Sequence, residues 1–169
     1  MSVTIVLVRH GQTMENTQNI LQGQMPGHLT PLGKEQAKQL GKTLAGNRFD
    51  LLLTSDLKRA VDTSRLINNS LHLEMITDAM LRERDFGIYT GKPYGTHIDN
   101  EEPSLESVEQ MFDRASLWLE KVKTDYKEKC ILVVSHGLFL RVIQAVHYHK
   151  TIKEVFPMKN GETRTLVLE

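Results

Sequence analysis

Apolar residues in this chain occur in short continuous runs and in longer stretches with helical spacing. Short runs rich in β-branched residues are typical of strands covered on both faces, as in a parallel sheet. They predict strands at residues 3–8, 51–53, 73–77, 131–134 and 165–168. Two of these runs lead directly into a polar residue, a histidine and a glycine, in the segments IVLVRHG and ILVVSHG.

The apolar residues with helical spacing predict four helices, and the first two have recognisable starting residues. Thr30 is a suitable N-cap, and Pro31 is the first residue of a helix that ends before Gly46. A second helix starts near Ser55 or Asp56, since either side chain could accept a hydrogen bond from a free amide of the first turn. Its inward-facing residues are expected to be Leu57, Val61 and Ile67.

A third helix is predicted from Ser104 to about Tyr126, and a fourth from about Leu138 to Tyr148. The inward stripe of the third helix comprises Val108, Met111, Phe112, Ala115, Leu119 and Val122. Residues 78–103 are rich in Gly, Pro, Asp and Asn, which favours loop with at most short helical pieces. Strands that alternate with helices favour an α/β fold, a three-layer α/β/α sandwich with a mostly parallel central sheet. We expect one domain over residues 1–169.

Composition and charge favour a soluble protein that binds neither nucleic acid nor a membrane surface. The 169 residues can bury one hydrophobic core without disulfides or metal. The 21 basic residues balance the 21 acidic residues, so no overall field favours nucleic acid or a membrane surface. The single cysteine, Cys130, cannot form an intrachain disulfide, and no run resembles a signal peptide or a membrane span. We therefore expect a cytoplasmic protein. The sequence does not indicate how many subunits it has.

His10 and His136 are the strongest candidates for chemistry, because each follows a buried strand and precedes a glycine. In open α/β sheets the ligand crevice lies beyond the carboxyl ends of the strands, and both histidines are expected there. The glycines leave room for a ligand to approach the backbone. The other histidines lack such context and are interpreted as structural or surface residues: His28, His72, His97, His147 and His149.

Arginines near these histidines indicate an anion site more than a metal site. Arg9, next to His10, adds fixed positive charge, which disfavours a divalent cation such as zinc. Arg59, in the first turn of the second predicted helix, could point into the same crevice. Guanidinium groups match phosphate oxygens, and a neutral imidazole in such a clamp can attack phosphorus to form a covalent intermediate. Positive groups then stabilise the charge on the equatorial oxygens.

Glu83, in the segment LRERDFG, is the candidate acid that protonates the leaving oxygen. A general acid must hold a proton near neutral pH, which burial or neighbouring negative charge favours. Arg82 and Arg84 would favour the ionised carboxylate instead, unless both side chains point away. The alternative interpretation from these local features is a solvated loop acid.

Five segments occur in one order along the chain: LVRHGQT with Asn16, LTPLGKEQA, TSDLKRAVDTS, LRERDFG and VVSHG. Through these five segments, the chain from residue 5 to about residue 162 resembles the phosphoglycerate-mutase-like branch of the histidine phosphatase superfamily. The resemblance implies that His10 is the phosphorylated nucleophile, that Glu83 is the proton donor and that Arg9, Arg59 and His136 complete the phosphate pocket. It also implies that Asn16 and Gln22 line the pocket, that the amide of Gly137 contacts phosphate, and that no metal or organic cofactor takes part.

The activity expected from the resemblance is hydrolysis of small phosphorylated metabolites. The alternatives are a phosphoglycerate mutase and a non-catalytic protein that binds a phosphorylated ligand. A mutase must enclose its intermediate and exclude water, whereas the region between Gly91 and Ser104 is short, so we favour a phosphatase. Leu138 stands where many relatives have a second glycine, which narrows the space beside His136. The physiological substrate stays open among α-ribazole phosphate, sugar phosphates, phosphoglycerate and others.

Overall fold

The central sheet is built from five strands in a computed structural model that describes residues 1–169. The strands are β1 (Val3–Arg9), β2 (Leu51–Thr54), β3 (Met75–Thr77), β4 (Cys130–Ser135) and β5 (Thr163–Leu168). Their order across the sheet is β3-β2-β4-β1-β5. Only β5 runs antiparallel to its neighbour β1, and the other neighbouring pairs are parallel. The prediction of a mostly parallel sheet is confirmed.

Five α-helices connect and cover these strands. They are α1 (Met14–Thr17), α2 (Pro31–Leu44), α3 (Lys58–Leu71), α4 (Val108–Asp125) and α5 (Gly137–Tyr148). Between β3 and α4 the chain forms only two short 3₁₀ turns, Ala79–Leu81 and Gly87–Tyr89, and a third turn, Ile152–Glu154, follows α5. None of the helices combines the length and the apolar composition needed to cross a bilayer.

The sheet separates two apolar clusters, one on each face. Ile131 and Val133 of β4 pack in the cluster that contains the helical residues Trp118 and Phe139. Leu132 and Val134, the alternate residues of β4, pack in the other cluster, beneath α2 and α3. Because both faces of the strand are covered, its sequence reads as a continuous apolar run. The predicted three-layer α/β/α sandwich is therefore confirmed.

The predicted starts of two helices are wrong. The second predicted helix begins at Lys58 with Leu57 at its N-cap position, and neither Ser55 nor Asp56 caps it, because their side chains bind elsewhere. The third predicted helix begins at Val108, after a capping box formed by Ser107 and Gln110.

Three side chains predicted to face the core do not lie fully in it, and one of them, Phe112 on α4, is only partly buried against an apolar cluster. Val108 in the first turn of α4 is 43% exposed, so it is not a core residue. Val61 on α3 is only half-buried, and the inward face of that helix instead carries Ala60, Thr63, Ser64 and Ile67. Ala60, next to Val61, is buried, whereas the buried residues nearest to Val108 are Leu105 and Met111, three positions away on either side.

The parallel register of β1 and β4 brings the two HG segments together. Arg9, the last residue of β1, pairs with Ser135, the last residue of β4. His10 and His136 are the next residues in each chain segment, so both emerge at the carboxyl edge of the sheet. This edge is where a parallel α/β sheet offers its ligand crevice.

Candidate active site

A pocket of about 400 Å³ lies at the carboxyl edge of the sheet. Seven of the eight residues predicted from the sequence line it: Arg9, His10, Asn16, Gln22, Arg59, Glu83 and Gly137. The eighth, His136, is fully buried directly behind His10, with 5.2 Å between the centroids of the two rings. The structure therefore brings all eight predicted residues to one place.

The ring of His10 is buried and holds one defined tautomer. Its Nδ1 lies 2.7 Å from the backbone oxygen of Gly11, and a carbonyl only accepts, so Nδ1 is the nitrogen that carries the proton. Burial, and next the positive charge of Arg59, lower the pKa of His10 well below its usual value of 6.5. His10 is therefore neutral at pH 7, with the lone pair of Nε2 available for attack on an electrophile.

His136 occupies the N-cap position of α5 and is also neutral. Burial, and then the charge of Arg59, lower the pKa of His136 well below 6.5. Its Nε2 lies 2.7 Å from Oγ of Ser55, and its Nδ1 is buried without a hydrogen-bond partner in the protein.

Arg59 is 1% exposed, and the backbone of the segment before α2 fixes its guanidinium group. Nη2 donates to the oxygen of Gly23 at 2.6 Å, and Nη1 donates to the oxygen of Met25. Burial lowers the pKa of Arg59 to about 10, so the group stays cationic at neutral pH. Gly27, at φ +74°, lets this segment pass close by, because a Cβ there would lie 2.7 Å from Cδ of Arg59.

Arg9 reaches the pocket from the end of β1. Its Nη1 donates to the oxygen of Met158 at 2.6 Å, and its Nε is buried without a partner. The guanidinium group passes across the first residue of α5, where a Cβ on Gly137 would lie 3.0 Å from Cζ of Arg9. Gly137 is thus required for the close approach of the arginine.

The carboxylate of Glu83 lies at the N-terminus of α5. Its Oε2 accepts from the amide of Leu138 at 3.1 Å, and its Oε1 accepts from the amide of Phe139 at 3.0 Å. A helix N-terminus attracts negative charge, so α5 fixes this side chain on the pocket wall. Glu83 is half-buried in contact with the pocket, and the interpretation as a freely solvated loop acid does not describe it.

The neighbours of Glu83 in sequence direct their guanidinium groups away from the pocket. Arg82 forms a two-pronged ion pair with Asp56, with Nε–Oδ1 and Nη2–Oδ2 distances of 2.7 Å. Arg84 donates from Nε to the backbone oxygen of Glu106 at 2.7 Å. Burial lowers the pKa of Arg84, and the charges of Glu106 and Glu83 partly oppose this effect. Arg82 is therefore occupied elsewhere, whereas Arg84 still senses the charge of Glu83.

Asn16 and Gln22 are held by a hydrogen-bond network beside His10. Oδ1 of Asn16 accepts from the amide of Thr13 at 3.0 Å and from the side-chain amide of Asn160 at 3.3 Å. This leaves the NH₂ group of Asn16 as a donor for the pocket. Asn160 also donates to the backbone oxygen of His10 at 3.0 Å, and Oε1 of Gln22 accepts from Oγ1 of Thr13 at 3.2 Å.

Sequence reasoning missed several residues at this site: Ser55, Phe86, Tyr94, Arg141, Pro157, Met158 and Asn160. A helical signal was available for Arg141, which lies four residues after Gly137 and therefore on the same face of α5. For Met158 and Asn160 no local pattern exists, because both come from the loop before β5. Only in the folded chain does Met158 contact Arg9 and Asn160 contact His10.

The charges and donors of the pocket suit an anion. Arg9, Arg59 and Arg141 supply three guanidinium groups, against the single carboxylate of Glu83. No group of three or more His, Cys, Asp or Glu side chains is arranged to hold a metal ion. A tetrahedral phosphoryl group at Nε2 of His10 would meet the donors that a phosphate requires.

Comparison with known proteins agrees with this geometry. The uncharacterised phosphatase PhoE of Bacillus subtilis is 35% identical over 143 residues, which cover 82% of this chain and 74% of that protein. A 2,3-bisphosphoglycerate-dependent phosphoglycerate mutase of Cytophaga hutchinsonii is 31% identical, over 89% of this chain and 79% of that protein. Among solved structures, a phosphoserine phosphatase of Entamoeba histolytica in complex with 3-phosphoglyceric acid has a TM-score of 0.84 at 25% identity, over 96% of this chain and 89% of that chain.

The family comparison covers almost the whole chain. The model of the histidine phosphatase superfamily (branch 1) matches residues 5–169. This match confirms the resemblance inferred from the five ordered segments. The chain belongs to the histidine phosphatase superfamily, branch 1.

Proposed function

We propose that this histidine phosphatase hydrolyses phosphate monoesters of small organic molecules through a covalent phosphohistidine on His10. The observation that carries the proposal is the state of the His10 ring, which keeps its proton on Nδ1 against the oxygen of Gly11. Nε2 therefore offers a lone pair inside a pocket lined by the guanidinium groups of Arg9 and Arg59. An activated nucleophile next to fixed cations is what phosphoryl transfer needs.

The reaction proceeds in two balanced steps. Nε2 of His10 attacks phosphorus, the bond between phosphorus and the ester oxygen breaks, and the carboxylic acid of Glu83 gives its proton to the leaving oxygen. Water then attacks the phosphohistidine, Glu83 takes up the proton of the water, and the bond between nitrogen and phosphorus breaks to release phosphate. Arg9, Arg59 and His136 stabilise the phosphoryl oxygens in both transition states.

The partner that the pocket fits is a small phosphorylated metabolite. A volume of about 400 Å³ holds a phosphoryl group and a compact organic group. Apolar and aromatic side chains form the part of the wall that would face this organic group: Leu21, Phe86, Tyr94, Leu138, Pro157 and Met158. The neutral overall charge gives no support for nucleic acid or a membrane as partner. We place the reaction in the cytoplasm, where a lone cysteine stays reduced.

Hydrolysis is favoured over mutase chemistry, although several relatives are named as phosphoglycerate mutases. Residues 90–107, between the second 3₁₀ turn and α4, contain no helix or strand that could cover the pocket. Tyr94 of this segment lines the pocket and is 50% exposed. Water therefore has access to the phosphohistidine, which hydrolysis needs and a mutase must prevent.

The test is hydrolysis of an aryl phosphate in the presence of a chelator, with wild-type protein, His10→Ala and His149→Asn. His149 is an exposed histidine with a left-handed backbone that Asn tolerates, so it serves as the matched control. We expect turnover by wild-type and control proteins only, and a phosphorylated wild-type protein in intact mass spectra after a rapid quench. Equal turnover by His10→Ala would refute the proposal, and isomerisation of phosphoglycerate without phosphate release would favour the mutase.

A further inference from the structure

Ser55 contacts the buried histidine of the site through a short hydrogen bond. Its Oγ lies 2.7 Å from Nε2 of His136, and both residues are 0% exposed. Ser55 follows β2 and His136 follows β4, which are neighbouring strands in the sheet. The direction of this hydrogen bond decides which ring nitrogen of His136 carries the proton.

The available protons give the direction. Oγ of Ser55 already accepts from the amide of Leu57 at 3.3 Å, and its hydroxyl has one proton to donate. Nε2 of His136 is the acceptor that the fold places within reach of this proton. If Nε2 were the donor, the hydroxyl would accept twice and its own proton would remain buried without an acceptor, which is the costlier arrangement.

The second ring nitrogen points to a ligand. Nδ1 of His136 is buried and has no partner within the protein. Because the two nitrogens lie on different sides of the ring, Nδ1 faces away from Ser55. The ring of His10, with its reactive Nε2, packs edge-on against that of His136 with 5.2 Å between the centroids. An oxygen of a phosphoryl group on Nε2 of His10 would be the nearest acceptor for the unpartnered nitrogen.

We propose that Ser55 is a positioning residue, whose hydroxyl donates to Nε2 of His136 and so keeps the imidazole proton on Nδ1, where it donates to the phosphoryl group. This inference rests on the proposed function, because it takes the phosphoryl group to be bound at His10. The two histidines then have the same tautomer but opposite tasks. His10 presents a lone pair to phosphorus, and His136 presents an N–H donor to oxygen.

The loss of Ser55 has a defined chemical consequence. Without the hydroxyl, His136 can place its proton on either nitrogen, and in part of the molecules the lone pair of Nδ1 faces an anionic oxygen and repels it. In metal sites, a residue that hydrogen-bonds to a ligating histidine and fixes its tautomer contributes about 10- to 100-fold to affinity or activity. We expect a loss of this size for Ser55→Ala.

The experiment is ¹⁵N NMR of protein labelled on histidine, with His136 assigned by comparison with His136→Gln, together with titration by inorganic phosphate and steady-state kinetics. The matched control is Ser64→Ala, because Ser64 is also fully buried and its Oγ has no partner. In wild-type and control proteins we expect the proton of His136 on Nδ1. In Ser55→Ala we expect a mixture of tautomers, with phosphate affinity and kcat/KM both lower by about 10- to 100-fold.

Two results would overturn the inference: a wild-type spectrum with the proton on Nε2, or an unchanged tautomer in Ser55→Ala, even with reduced activity. The second result would assign Ser55 to packing alone. If Ser55→Ala does not fold, the wild-type spectrum still decides, and Ser55→Thr, which keeps a hydroxyl, should preserve the tautomer. A wild-type protein that shows this tautomer and binds phosphate without hydrolysing esters would defeat the proposed function and leave the donor role of His136 intact.

Discussion

The rings of His10 and His136 lie 5.2 Å apart at an interplanar angle of 62°, although 126 positions separate the two residues along the chain. The parallel pairing of β1 with β4 produces this contact, since it aligns the residues directly before the two histidines. Both rings are buried beside the guanidinium group of Arg59, and this environment keeps both of them neutral.

The stability of the protein should therefore depend on pH through these two histidines. Each pKa lies below 6.5 in the folded protein and returns to about 6.5 on unfolding, so the unfolded chain binds more protons below that pH. The free energy of unfolding should fall as the pH drops from 7 to 5, by up to ~1.4 kcal/mol per pH unit for each histidine. Urea titrations at several pH values measure this slope.

His136→Gln supplies the control for the pH dependence. The variant lacks one of the two buried groups, so the slope between pH 7 and pH 5 should be smaller than that of wild type. Burial also lowers the pKa of His147, which contributes to the slope in both proteins. The lowered pKa values of Glu15 and Asp56 affect stability mainly below pH 4.5, outside this window. A slope that is the same in both proteins, or that has the opposite sign, contradicts the neutral buried pair.

Replacement of Arg59 by Met should reduce catalysis, and it should also lower the free energy of unfolding, because the backbone oxygens of Gly23 and Met25 lose their donor. A charge-assisted hydrogen bond to phosphate contributes ~1.5–3 kcal/mol, so kcat/KM should fall by about tenfold to a hundredfold. Arg65→Met is the matched control, because Arg65 is exposed on the same helix. Comparable kinetic losses in the two variants would show that the position on α3, and not the pocket contact, determines the effect.

Glu83→Gln should slow substrates according to their leaving group. An alkyl phosphate needs a proton on its leaving oxygen, whereas an activated aryl phosphate departs as a stable anion. Oε2 and Oε1 of Glu83 accept from different amides, so the single oxygen of glutamine keeps only one of these hydrogen bonds and its NH₂ group faces the other amide. This loss of positioning affects both esters alike, whereas the loss of the acid affects mainly the alkyl ester. For the alkyl ester we expect kcat to fall by about 10²-fold or more, and for the aryl ester we expect a much smaller decrease. Equal losses on both esters would argue against an acid role for Glu83.

Gly137→Ala should weaken phosphate binding without unfolding the protein. The new Cβ would lie 3.0 Å from Cζ and Nε of Arg9, so the guanidinium group must shift. Gly137 is the first residue of α5, where alanine is at least as compatible with the helix as glycine, and the thermal midpoint should not fall with the affinity. Phosphate titration and thermal melts, each compared with Gly46→Ala, separate the two effects. Nothing lies within 4 Å of a Cβ at Gly46, and an equal change in both variants would exclude the contact with Arg9 as the cause.

Local patterns along the chain were enough to predict the layers of the fold and most of the candidate site. Strands buried on both faces need continuous apolar runs, so the strands and the residues after them could be recognised from composition and spacing. Thr30 and Pro31 defined the start of α2, because an N-cap side chain and a fixed proline φ act over one turn of chain. His10, His136 and Arg59 followed from their positions at element ends.

Hydrogen bonds between side chains distant in sequence became visible only in the folded chain. Ser55 and Asp56 both qualify as helix caps by local rules, yet Ser55 contacts His136 and Asp56 pairs with Arg82, 26 residues away. The four-residue helix α1 is too short for a periodic pattern, and it is fixed by the Thr13 and Asn16 capping box beside Asn160. Periodicity records which face of an element is buried, whereas partner choice among polar groups depends on the register of strands and the paths of loops, which local sequence does not encode.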